Sequence, residues 1–129
     1  NDIEHQLEFL VSEVPDLAIL ETTNSYPCSP CSVSLGGIHE LKNRYPNASI
    51  GYSDHTVGMA FAYAALGAGA SVIEKHFTLS NSQEGPDHKA SLEPYELEKM
   101  ITSIRNIEKS MGNFSKKPTF SELNISRIS

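Results

Sequence analysis

The chain contains no apolar run of about 18 residues, the length that a membrane-crossing helix requires. It also has no cluster of Lys and Arg, and its formal net charge is −6. A transmembrane helix is therefore excluded, and a nucleic-acid surface, which needs a basic patch, is argued against. Cysteine is scarce, with only Cys28 and Cys31 present. Their C-x-x-C spacing is shared by redox dithiols and by halves of zinc sites. No second Cys pair completes a zinc site, and the pair sits in Tyr26-Pro27-Cys28-Ser29-Pro30-Cys31, so two incidental loop thiols are the simpler reading. The start, Asn1-Asp2-Ile3-Glu4-His5-Gln6, is neither a signal peptide nor opened by Met. A fragment of a longer chain, or a chain trimmed at its start, is the expectation, with a cytoplasmic location. The composition is otherwise ordinary for a globular protein, and 129 residues make one domain or part of one.

What is present is an alternation of short apolar runs with helical stripes. Ile3, Leu7, Leu10 and Val11 give residues 2–13 the spacing of an amphipathic helix, which Pro15-Asp16 ends. Leu17-Ala18-Ile19-Leu20 reads as a strand buried on both faces. A polar loop follows to about residue 34. Residues 35–44 form the next helix, with Ile38 and Leu41 inward. A second strand spans 49–53, and the small apolar segment 58–67 is a helix stopped by Gly67 and Gly69. A third strand spans 71–77, with Val72, Glu74 and His76 on one face. After a loop over 80–91, Pro94 opens a helix that runs to about residue 111 on a stripe of Leu97, Met100, Ile101, Ile104 and Ile107. The polar stretch 113–129, with Lys116-Lys117-Pro118, reads as a linker or tail. Strands alternating with helices imply a parallel sheet. A closed (β/α)₈ barrel takes about 250 residues, so three strands are an incomplete one.

Chemistry concentrates where these strands end. Gly51-Tyr52-Ser53-Asp54-His55-Thr56 and Glu74-Lys75-His76-Phe77-Thr78 each close an apolar run with a polar cluster holding one histidine. Ligands in parallel α/β folds bind at the C-terminal ends of strands. His55 and His76 are thus candidates for one shared metal, and neutral imidazoles suit Zn, Mn, Fe or Co. The competing reading is one polar rim histidine and one structural one. Asp54 alternates away from His55 and is better suited to capping the helix start at 56–58. Thr23, Asn24 and Ser53 offer neutral donors for a phosphate or carboxylate, or simply satisfy their own loops. Glu74 shares a face with His76, where a closed barrel would bury it, so it needs either a site role or a lysine partner. Gly85-Pro86-Asp87 is a turn displaying a carboxylate that could orient a sugar hydroxyl. His88 and Lys89 read as exposed loop residues, and His5 and His39 as surface residues of helices.

These segments also carry a resemblance. Thr23-Asn24-Ser25-Tyr26-Pro27, Gly51-Tyr52-Ser53-Asp54-His55-Thr56, Val72-Ile73-Glu74-Lys75-His76-Phe77-Thr78 and Gly85-Pro86-Asp87-His88-Lys89-Ala90-Ser91-Leu92-Glu93-Pro94 together resemble the sialic acid synthase family, collinearly over about 17–111. The family fold is a TIM (β/α)₈ barrel followed by an antifreeze-like domain. The resemblance implies that residues 1–112 are the last three βα units of that barrel, incomplete in this chain, and 113–129 a linker towards an absent antifreeze-like domain. It implies condensation of phosphoenolpyruvate with an N-acylated hexose such as N-acetylmannosamine, giving a nine-carbon sialic-type acid and phosphate. By the same resemblance His55 and His76 are ligands of a divalent metal, usually Mn, with Mg or Co as substitutes. Asn24 and Ser53 match phosphoenolpyruvate-binding positions, Tyr26 and Asp87 match positions at the acylamino sugar, and Glu74 and Asp87 are the candidate catalytic carboxylates. His88 after Gly-Pro-Asp resembles sialate or legionaminate synthases more than pseudaminate ones. The phosphate-binding lysines and a catalytic glutamate of the family belong to strands not in this sequence. The chain is therefore expected to pair with a missing N-terminal barrel part or with itself. The contrasting reading is a catalytically silent piece that binds metal or a partner chain, and a weaker one is a metal-dependent hydrolase.

Overall fold

In the computed structural model, residues 2–113, 115, 117 and 119–125 are described. Helix α1 (Asp2–Glu13) leads into strand β1 (Ala18–Thr22), followed by α2 (Gly36–Arg44), β2 (Ser49–Asp54), α3 (Ala60–Gly67), β3 (Val72–Lys75) and α4 (Pro94–Ser110). The strands form one parallel sheet in the order β1-β2-β3. Among the described residues no helix is long and apolar enough to cross a membrane.

Register divides the sheet into two unlike faces. Ile19, Ile50, Tyr52 and Ile73 face the helices, where Ile50 and Tyr52 bury against Ile38 and Tyr45 of the α2 segment and Ala65 and Ala70 of the α3 segment. A second cluster, Ala62, Leu92 and Met100, seats α4 on α3. The α4 start is fixed by a capping box, in which the Glu93 N–H donates to Glu96 Oε2 at 2.9 Å. The opposite face carries the rows Leu20–Gly51–Val72 and Thr22–Ser53–Glu74. At Gly51 the flanking strands close in: a Cβ there would stand 2.4 Å from Leu20 Cδ2 and 2.5 Å from the Val72 carbonyl oxygen.

Two expectations about these elements need correction. β1 is not buried on both faces: Ala18 and Thr22 are exposed and the residues between them half-buried. It is the end strand of the sheet, and the helices cover one of its faces. Helix α3 begins at Ala60 instead of residue 58, because Gly58 adopts a φ of +82° outside the helical region. The linker expected over 113–129 lies partly outside the described residues. Within them, 120–125 form a short helix, α5 (Phe120–Ile125). Thr119 and Glu122 bracket its first turn, the Thr119 N–H donating to Glu122 Oε2 at 2.6 Å. Thr119-Phe120-Ser121-Glu122 is a Thr-x-x-Glu helix-start signature within an otherwise polar stretch.

Candidate functional site

The C-terminal ends of the three strands meet in one cluster of rings and hydroxyls. His55 follows β2 directly and is half-buried. Its Nδ1 lies 2.9 Å from the Thr23 carbonyl oxygen. A carbonyl only accepts, so Nδ1 carries a proton, and in the neutral ring Nε2 keeps its lone pair. Ser53 Oγ is 3.5 Å from that Nε2. The single hydroxyl proton of Ser53, however, is donated to Glu74 Oε1 at 2.6 Å. Nε2 of His55 is therefore not capped by its neighbour.

His76 follows β3, and its ring centroid is 5.5 Å from that of His55 with the planes at 81°. Tyr26, from the β1–α2 loop, stacks on His76 at 4.3 Å and meets His55 edge-on at 5.6 Å. The Tyr26 hydroxyl donates to the Asp87 carbonyl oxygen at 3.0 Å, and Ser91 Oγ donates to the same oxygen at 2.7 Å. The Gly85-Pro86-Asp87 turn is thus fastened above Tyr26, with Asp87 Oδ2 3.9 Å from His76 Nδ1. The structure brings Tyr26, Ser53, His55, Glu74, His76 and Asp87 together. Glu74 is exposed on the face opposite the helices and has the Ser53 hydroxyl as its partner, not a lysine.

Other candidates fall outside this cluster. The Thr23 hydroxyl donates within its own loop to the Ser32 carbonyl at 2.8 Å. Asn24 is exposed on the same loop, and Lys89 is exposed beyond Asp87. His88 is half-buried, its Nδ1 2.7 Å from Thr78 Oγ1, where an exposed loop residue was expected. His5 and His39 are exposed on their helices. Cys28 is buried, Cys31 exposed, and both thiols are free.

Asp54 does not cap a helix. Its Oδ1 accepts from the Thr56 N–H at 2.9 Å and the Thr56 hydroxyl at 2.7 Å, closing a turn four residues before α3. Its Oδ2 stands 3.0 Å from Lys75 Nζ, and both side chains are buried. Lys75 Nζ also donates to the Thr56 carbonyl. Burial and the adjacent Asp54 carboxylate push the Tyr52 phenol far above its usual range. The Asp-x-Thr spacing was a visible turn signal. Its lysine partner, 21 residues on, had none.

For a metal, the observations agree on donor type. Two imidazoles at the ends of adjacent strands meet edge to face, and one is held by a bond that, in the neutral ring, leaves Nε2 free. Among the described residues no group of three or more His, Cys, Asp or Glu is arranged to hold an ion. The two histidines fit a metal whose remaining positions are filled by water or substrate oxygens.

The chain resembles known proteins in both sequence and fold. The profile of the NeuB family matches residues 1–116. The chain is 46% identical over 117 residues to N,N′-diacetyllegionaminic acid synthase of Campylobacter jejuni, covering 88% of this chain and 35% of that protein. It is 41% identical over 103 residues to human N-acetylneuraminate-9-phosphate synthase, covering 80% and 29%. Among solved structures, the N-acetylneuraminic acid (sialic acid) synthetase of Leptospira borgpetersenii serovar Hardjo-bovis, in complex with citrate, superposes with a TM-score of 0.85 at 32% identity. That alignment covers 98% of this chain and 44% of the other. The chain thus spans about a third of the length of the curated relatives it matches. Its fold and its sequence agree: the chain belongs to the NeuB family.

Proposed function

We propose that this chain is the C-terminal part of the catalytic barrel of a sialic-type synthase, with residues 1–112 supplying the last three βα units and 113–129 leading towards an antifreeze-like domain. The reaction is condensation of phosphoenolpyruvate with an N-acylated hexose such as N-acetylmannosamine. The alkene carbon attacks the open-chain aldehyde, water adds at the former enol carbon, and phosphate leaves. Relatives named as legionaminic acid and N-acetylneuraminate-9-phosphate synthases support the reaction class. The observation that carries the site assignment is the meeting of His55 and His76 from different strands, 5.5 Å apart at the C-terminal rim, with Nε2 of His55 left free.

In this reading His55 and His76 hold a divalent metal, Mn by preference and Mg or Co as substitutes. When bound, the metal supplies Lewis-acid polarisation of the aldehyde. Ser53 and Asn24 orient phosphoenolpyruvate as neutral donors. Ser53 can do so by exchanging its bond to Glu74 for one to the substrate. Glu74 is then positioned to take or return a proton beside the reacting carbons. Tyr26 presents its ring to the sugar, because its hydroxyl is already used by the Asp87 backbone. The Asp87 carboxylate, exposed above His76, accepts hydrogen bonds from sugar hydroxyls. The phosphate's cationic clamp comes from the rest of the barrel, and the complete enzyme works in the cytoplasm. The test is an assay of the complete protein carrying this segment, with phosphoenolpyruvate, N-acetylmannosamine and Mn²⁺, read as phosphate release. Release that depends on both substrates and stops with a chelator is expected. Sugar-independent release, or activity untouched by chelation, would reject the reading.

A further inference from the structure

The buried pair Asp54–Lys75 lies on the helix side of the sheet, opposite the face that His55 serves. Both side chains are at most 2% exposed. Their contacts converge on the peptide groups around His55. The Thr56 N–H, which belongs to the His55–Thr56 peptide, donates to Asp54 Oδ1. The other end of that peptide, the His55 carbonyl, accepts from the Cys28 N–H at 2.7 Å. The next carbonyl, of Thr56, accepts from Lys75. The ring is tied separately to the Thr23 carbonyl, so Asp54 and Lys75 act on His55 through the backbone that follows it, which sets whether the ring reaches that carbonyl.

We propose that Asp54 and Lys75 are positioning residues for His55, a clamp beneath the sheet that sets where Nε2 points above it. The inference rests on the functional reading given above. A displacement of about 1 Å at a reacting group can cost about 100-fold in rate. Loss of an outer partner of a metal-binding histidine typically costs about 10–100-fold in metal affinity. The ion pair itself is a weak source of stability. Replacing a buried pair by apolar groups of similar volume is often neutral, whereas removing one partner strands a buried charge. Here the pair also satisfies buried groups of Thr56, so positioning is separated from stability by comparing destabilised variants that keep or lose the tethers.

The experiment compares two variants of the complete protein. Asp54→Asn keeps an oxygen for the Thr56 N–H but leaves Lys75 without its counter-charge. It should melt at lower temperature yet bind Mn²⁺, measured by electron paramagnetic resonance of the free ion, within about threefold of the parent. Asp54→Leu with Lys75→Met removes both tethers and leaves no stranded charge. It strips the buried Thr56 N–H, hydroxyl and carbonyl of these partners, so it too should melt below the parent, but unlike Asp54→Asn it should bind Mn²⁺ about 10–100-fold more weakly. Nitrogen-15 NMR of the imidazoles provides a readout independent of metal. His55 should be a single Nδ1–H tautomer in the parent and in Asp54→Asn, and a mixture in the double variant. If the parent binds no Mn²⁺, the metal reading fails, and the tautomer result alone then decides the clamp. If the double variant does not fold, Asp54→Asn with Lys75→Met replaces it. That variant drops only the Lys75 bond to Thr56 and should show an intermediate loss of affinity and a detectable second tautomer. A folded variant lacking both tethers, or this replacement, with parental Mn²⁺ affinity and a single His55 tautomer would overturn the proposal.

Discussion

At the scale of single residues, the two histidines should be separable from the fold. Both are partly accessible, and their ring contacts are with Tyr26 and with each other. His55→Ala or His76→Ala in the complete protein is expected to lower kcat/KM by at least about 100-fold, beyond the usual effect of losing an outer partner. The same changes should alter stability by no more than about 1 kcal/mol, as substitutions outside the core generally do. Steady-state kinetics beside thermal melts would test this, and a parallel loss of both would argue for a packing role. Asp87 offers a sharper discrimination between substrates. A carboxylate repels phosphate but accepts from hydroxyls. Asp87→Asn should therefore raise KM for the sugar more than KM for phosphoenolpyruvate, and equal rises would count against its place at the sugar. Much at this scale was readable in advance. Ser53, His55, Glu74 and His76 follow from period-two alternation at strand ends. The Tyr26 stack on His76 was not readable, because loop geometry alone brings a residue 50 positions away onto that ring. Lys75 was hidden for a related reason: its partner is chosen by strand register, Asp54 standing opposite it.

At the scale of elements, the three strands and four of the helices announced themselves through apolar spacing, while their ends and exposure did not. The run Leu17-Ala18-Ile19-Leu20 looks like a core strand, yet β1 continues through Glu21 and Thr22 and is only half covered. Glu21 shows what that misreading concealed. It points to the helix side, its side chain packed beside Gly37 of α2. Burial raises its carboxyl above the usual range, against a smaller opposing backbone hydrogen bond. The folded state therefore binds the proton more tightly than the unfolded one. Stability contributed by the neutral form is fully present below the unfolded pKa and is lost as pH rises through the folded pKa. Glu21→Gln, which is neutral at every pH, should raise the melting temperature at neutral pH, with the gain shrinking as pH falls into the carboxylate range. A gain independent of pH would mean that packing, not charge, is responsible. The sheet makes its own prediction at Gly51. A methyl there would meet the Val72 backbone at 2.5 Å, which no side-chain rotation relieves. Gly51→Ala is expected to cost about 1–3 kcal/mol, the range for overpacked positions, as measured by denaturant midpoint.

At the scale of the whole molecule, the two faces of the sheet are not equally provided for. Helices bury one face around Ile38, Ile50 and Tyr52. On the other, Val72 is 36% exposed and Glu74 is exposed beside it, although a barrel interior would fill that space with opposing side chains. β1 and β3 are also the two ends of the sheet, each with one backbone edge unpaired by another strand among the described residues. Such edges recruit strands from elsewhere, and three strands cannot close on themselves. If the proposed function is right, these 129 residues in isolation should not catalyse the condensation. The phosphate would have only neutral donors, and charge-assisted bonds, about twice as strong as neutral ones, would be missing. Purified alone with phosphoenolpyruvate, N-acetylmannosamine and Mn²⁺, the chain should release no phosphate above the rate without sugar. In gel filtration it should elute either as an assembly larger than its 14.1 kDa monomer or with the large radius of a partly unfolded chain. Adding the remaining barrel segment as a separate polypeptide should then restore both a compact complex and turnover, since the rim residues already stand at the ends of correctly registered strands. A compact, active monomer would show that the uncovered face needs no cover, and that the groups for phosphate binding lie within this chain.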